Sequence, residues 1–169
     1  IAWDSPFGRA YLLWRAKRHA AFTKDLRDRI HEYDTGTILT VDYHLTNDNP
    51  HHLGRAGWDG ALLTDAVDMV TVEAFNFLDR ARPHWPHWAA EEAMMIRSFP
   101  QGKPGIVLLS GSERWLGRRP AQPAAQVERD LRQIVAHGAH PCVAVSGDFR
   151  QEDPGVLPAT KRVFRELER

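Results

Sequence analysis

Five acidic side chains lie at the ends of short apolar runs, or in a loop after one, where the sequence predicts β-strands to stop: Asp4, Asp42, Glu73, Glu113 and Asp148. Carboxyl ends of parallel strands meet at one edge of a sheet, so acids at these positions are brought near one another. Two carboxyl groups flanking a glycosidic bond hydrolyse it, about 5–5.5 Å apart in retaining enzymes and about 6.5–9.5 Å apart in inverting ones. The pattern therefore indicates two-carboxylate chemistry.

The elements that must position these acids are four short apolar strands that alternate with helices. We predict the strands at residues 37–44, 68–75, 105–111 and 141–148. Helical spacing predicts a helix from near Arg9, one after Pro86, one that Gly138 ends, and a last one over residues 157–168. We expect each helix to bury the apolar residues that recur along one side of it. In chain order these sets are Phe22, Leu26, Ile30 and Tyr33; Trp88, Met95, Ile96 and Phe99; Val127, Leu131, Ile134 and Val135; and Val163, Phe164 and Leu167.

Alternation along the strands predicts one apolar face and one face that becomes polar toward the carboxyl end. In the second strand, Val70, Val72 and Ala74 share one face, and Glu73 lies on the other. An open doubly wound sheet carries helices on both faces and needs both to be apolar, whereas the inside of a (β/α)8 barrel is polar at its upper end. The pattern favours the barrel.

The length then predicts half of such a barrel, because a complete one takes about 250 residues and the chain has 169. We interpret the opening "IAWD" as the end of strand four. The rest of the chain then runs through helix eight, so residues 1–169 form a single segment, the C-terminal half of the barrel. The missing half comes from the same chain or from a partner, and the open strand edges also allow an oligomer.

Several stretches resemble one enzyme family. "IAWDSPFG" resembles the end of strand four in α-L-fucosidase-like glycoside hydrolases and their hypothetical glycosyl hydrolase relatives, and "TVDYH", "VTVEAF", "KPGIVLLSGSERW" and "AHGAHPCVAVSGDF" follow in a similar order. Ser5 stands where the fucosidases usually carry Gly, and strand seven ends without a Glu on the strand itself. The resemblance implies a (β/α)8 fold, hydrolysis of a small glycoside or oligosaccharide, and no cofactor.

Three acids are candidates for the catalytic roles. Asp4 is the nucleophile by its position and by its likeness to the fucosidase strand-four aspartate; the alternative is an aspartate that caps the turn before the first helix. Glu73 is the proton donor, because burial on the inward face raises a carboxyl pKa; the alternative is a structural glutamate paired with an arginine. Glu113, in the loop after the third predicted strand, is a weaker proton donor.

Other polar and aromatic residues on the predicted active face suit a sugar. Aromatic rings stack on the apolar face of a pyranose, and polar neighbours bind its hydroxyl groups. We assign this substrate-binding role to Asp42, His44, Asn76, Trp85, Trp115 and Asp148. A metal site built from His44, Asp48, His51 and His52 is the alternative, but Glu73 stands where a barrel amidohydrolase needs a histidine, so we predict no metal.

Composition excludes several other classes. Lys and Arg together number 22 and so do Asp and Glu, so no overall charge attracts nucleic acid. No apolar run approaches the roughly 18 residues that span a bilayer, and a single cysteine, Cys142, excludes an internal disulfide. Neither nucleotide-binding glycine motif is present. The remaining alternative is a non-catalytic carbohydrate-binding barrel subunit that needs a partner segment; the compartment is not determined.

Overall fold

The computed structural model describes residues 4–43, 57–75, 86–98, 102–112, 121–145 and 155–168. Five helices alternate with four strands over these residues. The helices are α1 (Pro6–Tyr33), α2 (Gly60–Ala66), α3 (Trp88–Ser98), α4 (Ala124–Ala136) and α5 (Val156–Leu167). The strands are β1 (Thr40–Tyr43), β2 (Met69–Ala74), β3 (Gly105–Ser110) and β4 (His140–Ala144). The predicted α/β class is confirmed.

The four strands form one sheet in the order β1-β2-β3-β4, and every neighbouring pair is parallel. Asp42 pairs in register with Thr71, and Glu73 pairs with Leu108. Register partners in a sheet point to the same face, so Asp42, Thr71 and Glu73 share one face of the sheet. Within the described residues no strand is inserted between two earlier ones, unlike the order of doubly wound sheets, which reverses direction at a switch point.

The core lies on one face of the sheet. Val70, Val72 and Ala74 of β2 and Val107 and Leu109 of β3 are buried there. Helices α2, α3, α4 and α5 contribute to the same core, and Ala20 of α1 packs against it. None of the buried core residues in the described part of the chain comes from the opposite face of the sheet. The predicted apolar face is confirmed for β2 and β3.

Local signals account for the starts of the first two helices. The Ser5 hydroxyl accepts a hydrogen bond from the Gly8 amide at 3.0 Å, and Pro6 occupies the first helical position, so α1 begins three residues before the predicted start. The Asp59 carboxylate accepts hydrogen bonds from the Ala61 and Leu62 amides and starts α2, a helix that the sequence reasoning missed.

The later helices follow the predicted stripes in part. Trp88 and Ile96 face the core in α3, which begins two residues after Pro86. Gly138 follows α4 with a φ of 78°, and its amide donates to the Val135 carbonyl, as expected of a glycine that ends a helix. In α5, Val163 is buried, but Phe164 and Leu167 are exposed, which corrects the prediction for those two.

Three of the four apolar residues predicted to form the buried side of α1 are exposed instead, and Ile30 is half-buried. Phe22 and Tyr33 keep 66% and 92% of their surface in solvent, and Leu26 is exposed as well. Small residues make the contacts of α1: Gly8, Ala16 and Thr23 are its buried positions. The prediction was wrong because spacing identifies an apolar side of a helix and not the side that the neighbouring elements cover. No helix within the described residues is long and apolar enough to cross a membrane.

Candidate active site

The site lies on the uncovered face of the sheet, toward the carboxyl ends of β1 and β2. Asp42 of β1 and Thr71 and Glu73 of β2 point to this face and are half-buried. The Thr40 and Thr71 hydroxyls are hydrogen-bonded across the two strands at 2.7 Å. Two hydroxyls and two carboxylates therefore stand together on this face of β1 and β2.

Asp42 and Glu73 are the two candidate acids that the structure brings together. Asp42 is level with Thr71 in the parallel pairing, and Glu73 is two residues further along β2. Strand spacing of about 4.8 Å and a rise of about 3.3 Å per residue place their Cα atoms roughly 8 Å apart. The two side chains therefore lie on the same face, on neighbouring strands and one residue pair apart along the sheet.

One oxygen of Asp42 is an acceptor without a donor. Its Oδ1 atom is buried and has no hydrogen-bond partner among the described residues. A buried carboxylate oxygen loses its hydration and is costly unless it is paired. This acceptor, beside the Thr40–Thr71 hydroxyl pair, suits a ligand that brings its own hydroxyl group.

Asp4 lies in the turn before α1 and is exposed. Its backbone carbonyl accepts two hydrogen bonds from the Arg9 guanidinium, at 3.0 Å from Nε and 2.7 Å from Nη2. Ser5, and not Asp4, caps the helix. The alternative in which Asp4 serves as the cap is therefore wrong. The predicted strand before it falls at residues 1–3, outside the described part of the chain.

The same face continues across β3 and β4. Leu108 and Cys142 follow Glu73 in register, and Cys142 is exposed. Cys142 therefore lies on the same face of the sheet as Glu73. Ser110, near the end of β3, donates its hydroxyl proton to the Ser112 carbonyl.

Six predicted site residues lie outside the described residues: Glu113, His44, Asn76, Trp85, Trp115 and Asp148. The alternative metal ligands Asp48, His51 and His52 lie outside them too. Among the residues that are described, no three His, Cys, Asp or Glu side chains lie close enough together to hold a metal ion.

The acid with the most perturbed pKa is one that the sequence reasoning missed. Glu92 of α3 is 2% exposed, and its Oε2 has no hydrogen-bond partner within the described part of the chain. Burial, with a smaller effect of the Glu91 charge, raises the pKa of Glu92 to about 8. The signal was available, because Glu92 is four residues from both Trp88 and Ile96, on the stripe predicted to be buried.

Glu92 belongs to the helical layer and not to the candidate site. The helices cover the apolar face of the sheet, whereas Asp42 and Glu73 lie on the opposite face. Its raised pKa is therefore a property of the core, and it affects folding rather than the chemistry of the site.

No protein-family model matches the chain, and no curated protein matches it.

Proposed function

We propose that the chain is the C-terminal half of a (β/α)8 barrel of the α-L-fucosidase-like kind and hydrolyses a glycosidic bond of a small glycoside or oligosaccharide. The observation that carries the proposal is the placement of Asp42 and Glu73 on the uncovered face, at the carboxyl ends of adjacent parallel strands. Active sites of (β/α)8 barrels are built at that end of the strands.

The barrel is supported by the sheet itself. Its strands follow their order along the chain, all are parallel, and the core occupies one face only. A singly wound sheet of this kind leaves its second face free to become the inside of a barrel. Eight such strands close a barrel, so the four described here account for half of one.

The chemistry follows from the acids and their surroundings. Glu73 protonates the glycosidic oxygen as the bond to the anomeric carbon breaks, and Asp4 attacks that carbon or stabilises its oxocarbenium-like charge. Water then completes the hydrolysis. Asp42, with its buried Oδ1, accepts a hydrogen bond from a sugar hydroxyl, which removes the cost of leaving that oxygen unpaired. Glu113 remains the second choice for the proton donor.

Leaving-group dependence tests the role of Glu73. A nitrophenolate with two nitro groups departs without a proton, whereas an alkoxide does not. We expect Glu73→Gln to lower kcat on a methyl glycoside by about 10²-fold or more and to leave dinitrophenyl glycoside hydrolysis nearly unchanged. Asp4→Asn should abolish both reactions. Glu32→Gln, an exposed change on α1, is the matched control and should behave as the native protein.

Two results would contradict the proposal. Equal losses of Glu73→Gln activity on both substrates would show that Glu73 is not the proton donor. Calorimetric binding of a sugar without turnover of any aryl glycoside would favour the non-catalytic carbohydrate-binding subunit.

A further inference from the structure

Helix α1 carries an aromatic surface that the rest of the described chain leaves uncovered. Along its 28 residues, the large exposed apolar side chains other than Leu13 recur on one side. At 100° per residue they fall within an arc of about 120°. We call this surface the outer flank of α1; it consists of Phe7, Tyr11, Trp14, Arg18, Phe22, Leu26 and Tyr33.

The outer flank is distinct from the other two sides of α1. The packed side includes Ala16 and Thr23, and the nearby Arg27 guanidinium donates to the Asp65 carbonyl at the end of α2. A third side is polar, with Lys17 and an ion pair between Lys24 and Asp28 exposed to solvent. A helix at the surface of a protein needs only one apolar side, the side that packs on the core. The packing of α1 within the described chain therefore does not account for the outer flank.

The exposed area is large enough for a stable contact. Phe7, Trp14 and Phe22 keep 70%, 58% and 66% of their surface in solvent. Since aromatic side chains bury about 150–250 Å² each, the outer flank offers roughly 600–700 Å². The largest apolar patch of a typical monomer is about 300–600 Å², and a standard interface buries about 800 Å² per partner.

The charge on the outer flank is positive at its centre. Arg18 is exposed and lies one turn from both Trp14 and Phe22. Arg15, which is half-buried, lies on the same side one turn away, and Asp25 and Arg29 are bonded to each other at 3.1 Å. An apolar surface with one central guanidinium is complementary to an apolar surface with one central carboxylate.

We infer that the outer flank of α1 binds an amphipathic helix whose apolar stripe carries a carboxylate opposite Arg18. The inference rests on the proposed function, because in a barrel the helical layer continues past α1 in the direction away from α2. The occupant is then a helix of the segment that supplies the remaining strands. Trp and Arg are among the residues most enriched at the interface positions that contribute most of the binding free energy.

A charge exchange tests the inference with defined probes. The probes are three synthetic 21-residue helical peptides with one leucine stripe, identical except for Glu, Gln or Lys at the centre of the stripe. We expect the Glu peptide to bind the native chain about tenfold more tightly than the Lys peptide, as for a partly desolvated charge pair. Arg18→Glu should invert this order. Lys17→Glu makes the same charge change on the polar side and should leave it unaltered.

Apolar variants supply a second readout. Trp14→Ala should weaken all three peptides alike, whereas Met94→Ala, an equally exposed apolar residue on α3, should not. Circular dichroism confirms that each variant is folded.

Three outcomes overturn the inference. The first is that no peptide binds, or that the order fails to invert in Arg18→Glu. The second is sedimentation as a dimer that Phe22→Lys dissociates, which assigns the outer flank to a second copy. The third is binding to anionic vesicles in preference to every peptide. None of these readouts uses glycoside turnover. If the protein hydrolyses no glycoside but Arg18→Glu still inverts the order of peptide affinities, the proposed hydrolase activity is contradicted and the inference about the outer flank stands.

Discussion

The buried carboxyl of Glu92 makes the stability of the protein depend on pH in a specific direction. The folded chain holds the Glu92 proton up to about pH 8, whereas a glutamate in the unfolded chain releases its proton near 4.5. Between these values the unfolded state binds fewer protons than the folded state. The free energy of unfolding therefore has its full value below pH 4.5 and falls as the pH rises toward 8.

The magnitude follows from the same two pKa values. The difference between about 8 and 4.5 corresponds to roughly 5 kcal/mol of folding free energy once both states are ionised. Glu92→Gln keeps the size of the side chain and removes the titration. We expect it to be as stable as the native protein at pH 4 and more stable by roughly 4 kcal/mol at pH 8.

Urea unfolding followed by circular dichroism at pH 4, 6 and 8 measures this difference. Glu32→Gln, the same change at an exposed position of α1, should give no pH-dependent difference from the native protein. If the pH profiles of Glu92→Gln and the native protein run parallel, then the Glu92 carboxyl ionises normally in the folded state and the argument is wrong.

Two further variants test contacts that hold the helices to the sheet. Lys103 donates hydrogen bonds to the Thr64 and Val67 carbonyls at the end of α2. Lys103→Met leaves both acceptors unpaired and should lower the free energy of unfolding by about 2 kcal/mol in urea titrations. An unchanged unfolding midpoint would contradict this. A Cβ added at Gly105 would lie 2.0 Å from the Ile96 Cγ2 atom. Gly105→Ala should therefore lower the free energy of unfolding by about 2 kcal/mol or more, and by less when Ile96 is also replaced by Ala. Equal losses with and without Ile96→Ala would exclude this clash as the cause.

The strands were predictable because their residues satisfy local and long-range requirements together. β2 alternates buried valines with half-buried polar residues, and alternation of period two specifies both a strand and its faces. The parallel class followed from strands that alternate with helices. All four predicted strands are present among the residues that the structure describes.

The packing of the helices was less predictable, since it depends on neighbours that spacing does not identify. In α1 the most regular apolar spacing marks the exposed outer flank, while the packed side consists of small residues such as Ala16 and Thr23. Helix α2 is too short for its periodicity to be recognised, and its only clear signal is the capping Asp59.

The candidate site was predictable to the extent that it depends on strand register. Glu73 and Asp42 lie on the expected face because a strand alternates strictly, and their proximity follows from the pairing of β1 with β2. The pKa of Glu92 was not expected, because the hydrophobic stripe of α3 was read from its apolar members alone and the acid between them was not weighed.

The sequential strand order also determines how the molecule comes apart. Each strand bonds only to the strand before it and the strand after it, so β4 and α5 can detach without breaking any bond between β1 and β2. Partial unfolding should therefore begin at the two outer strands, β1 and β4. The amides of β2 and β3 should then exchange with deuterium last. In this respect the sheet behaves as a short linear array with nearest-neighbour coupling.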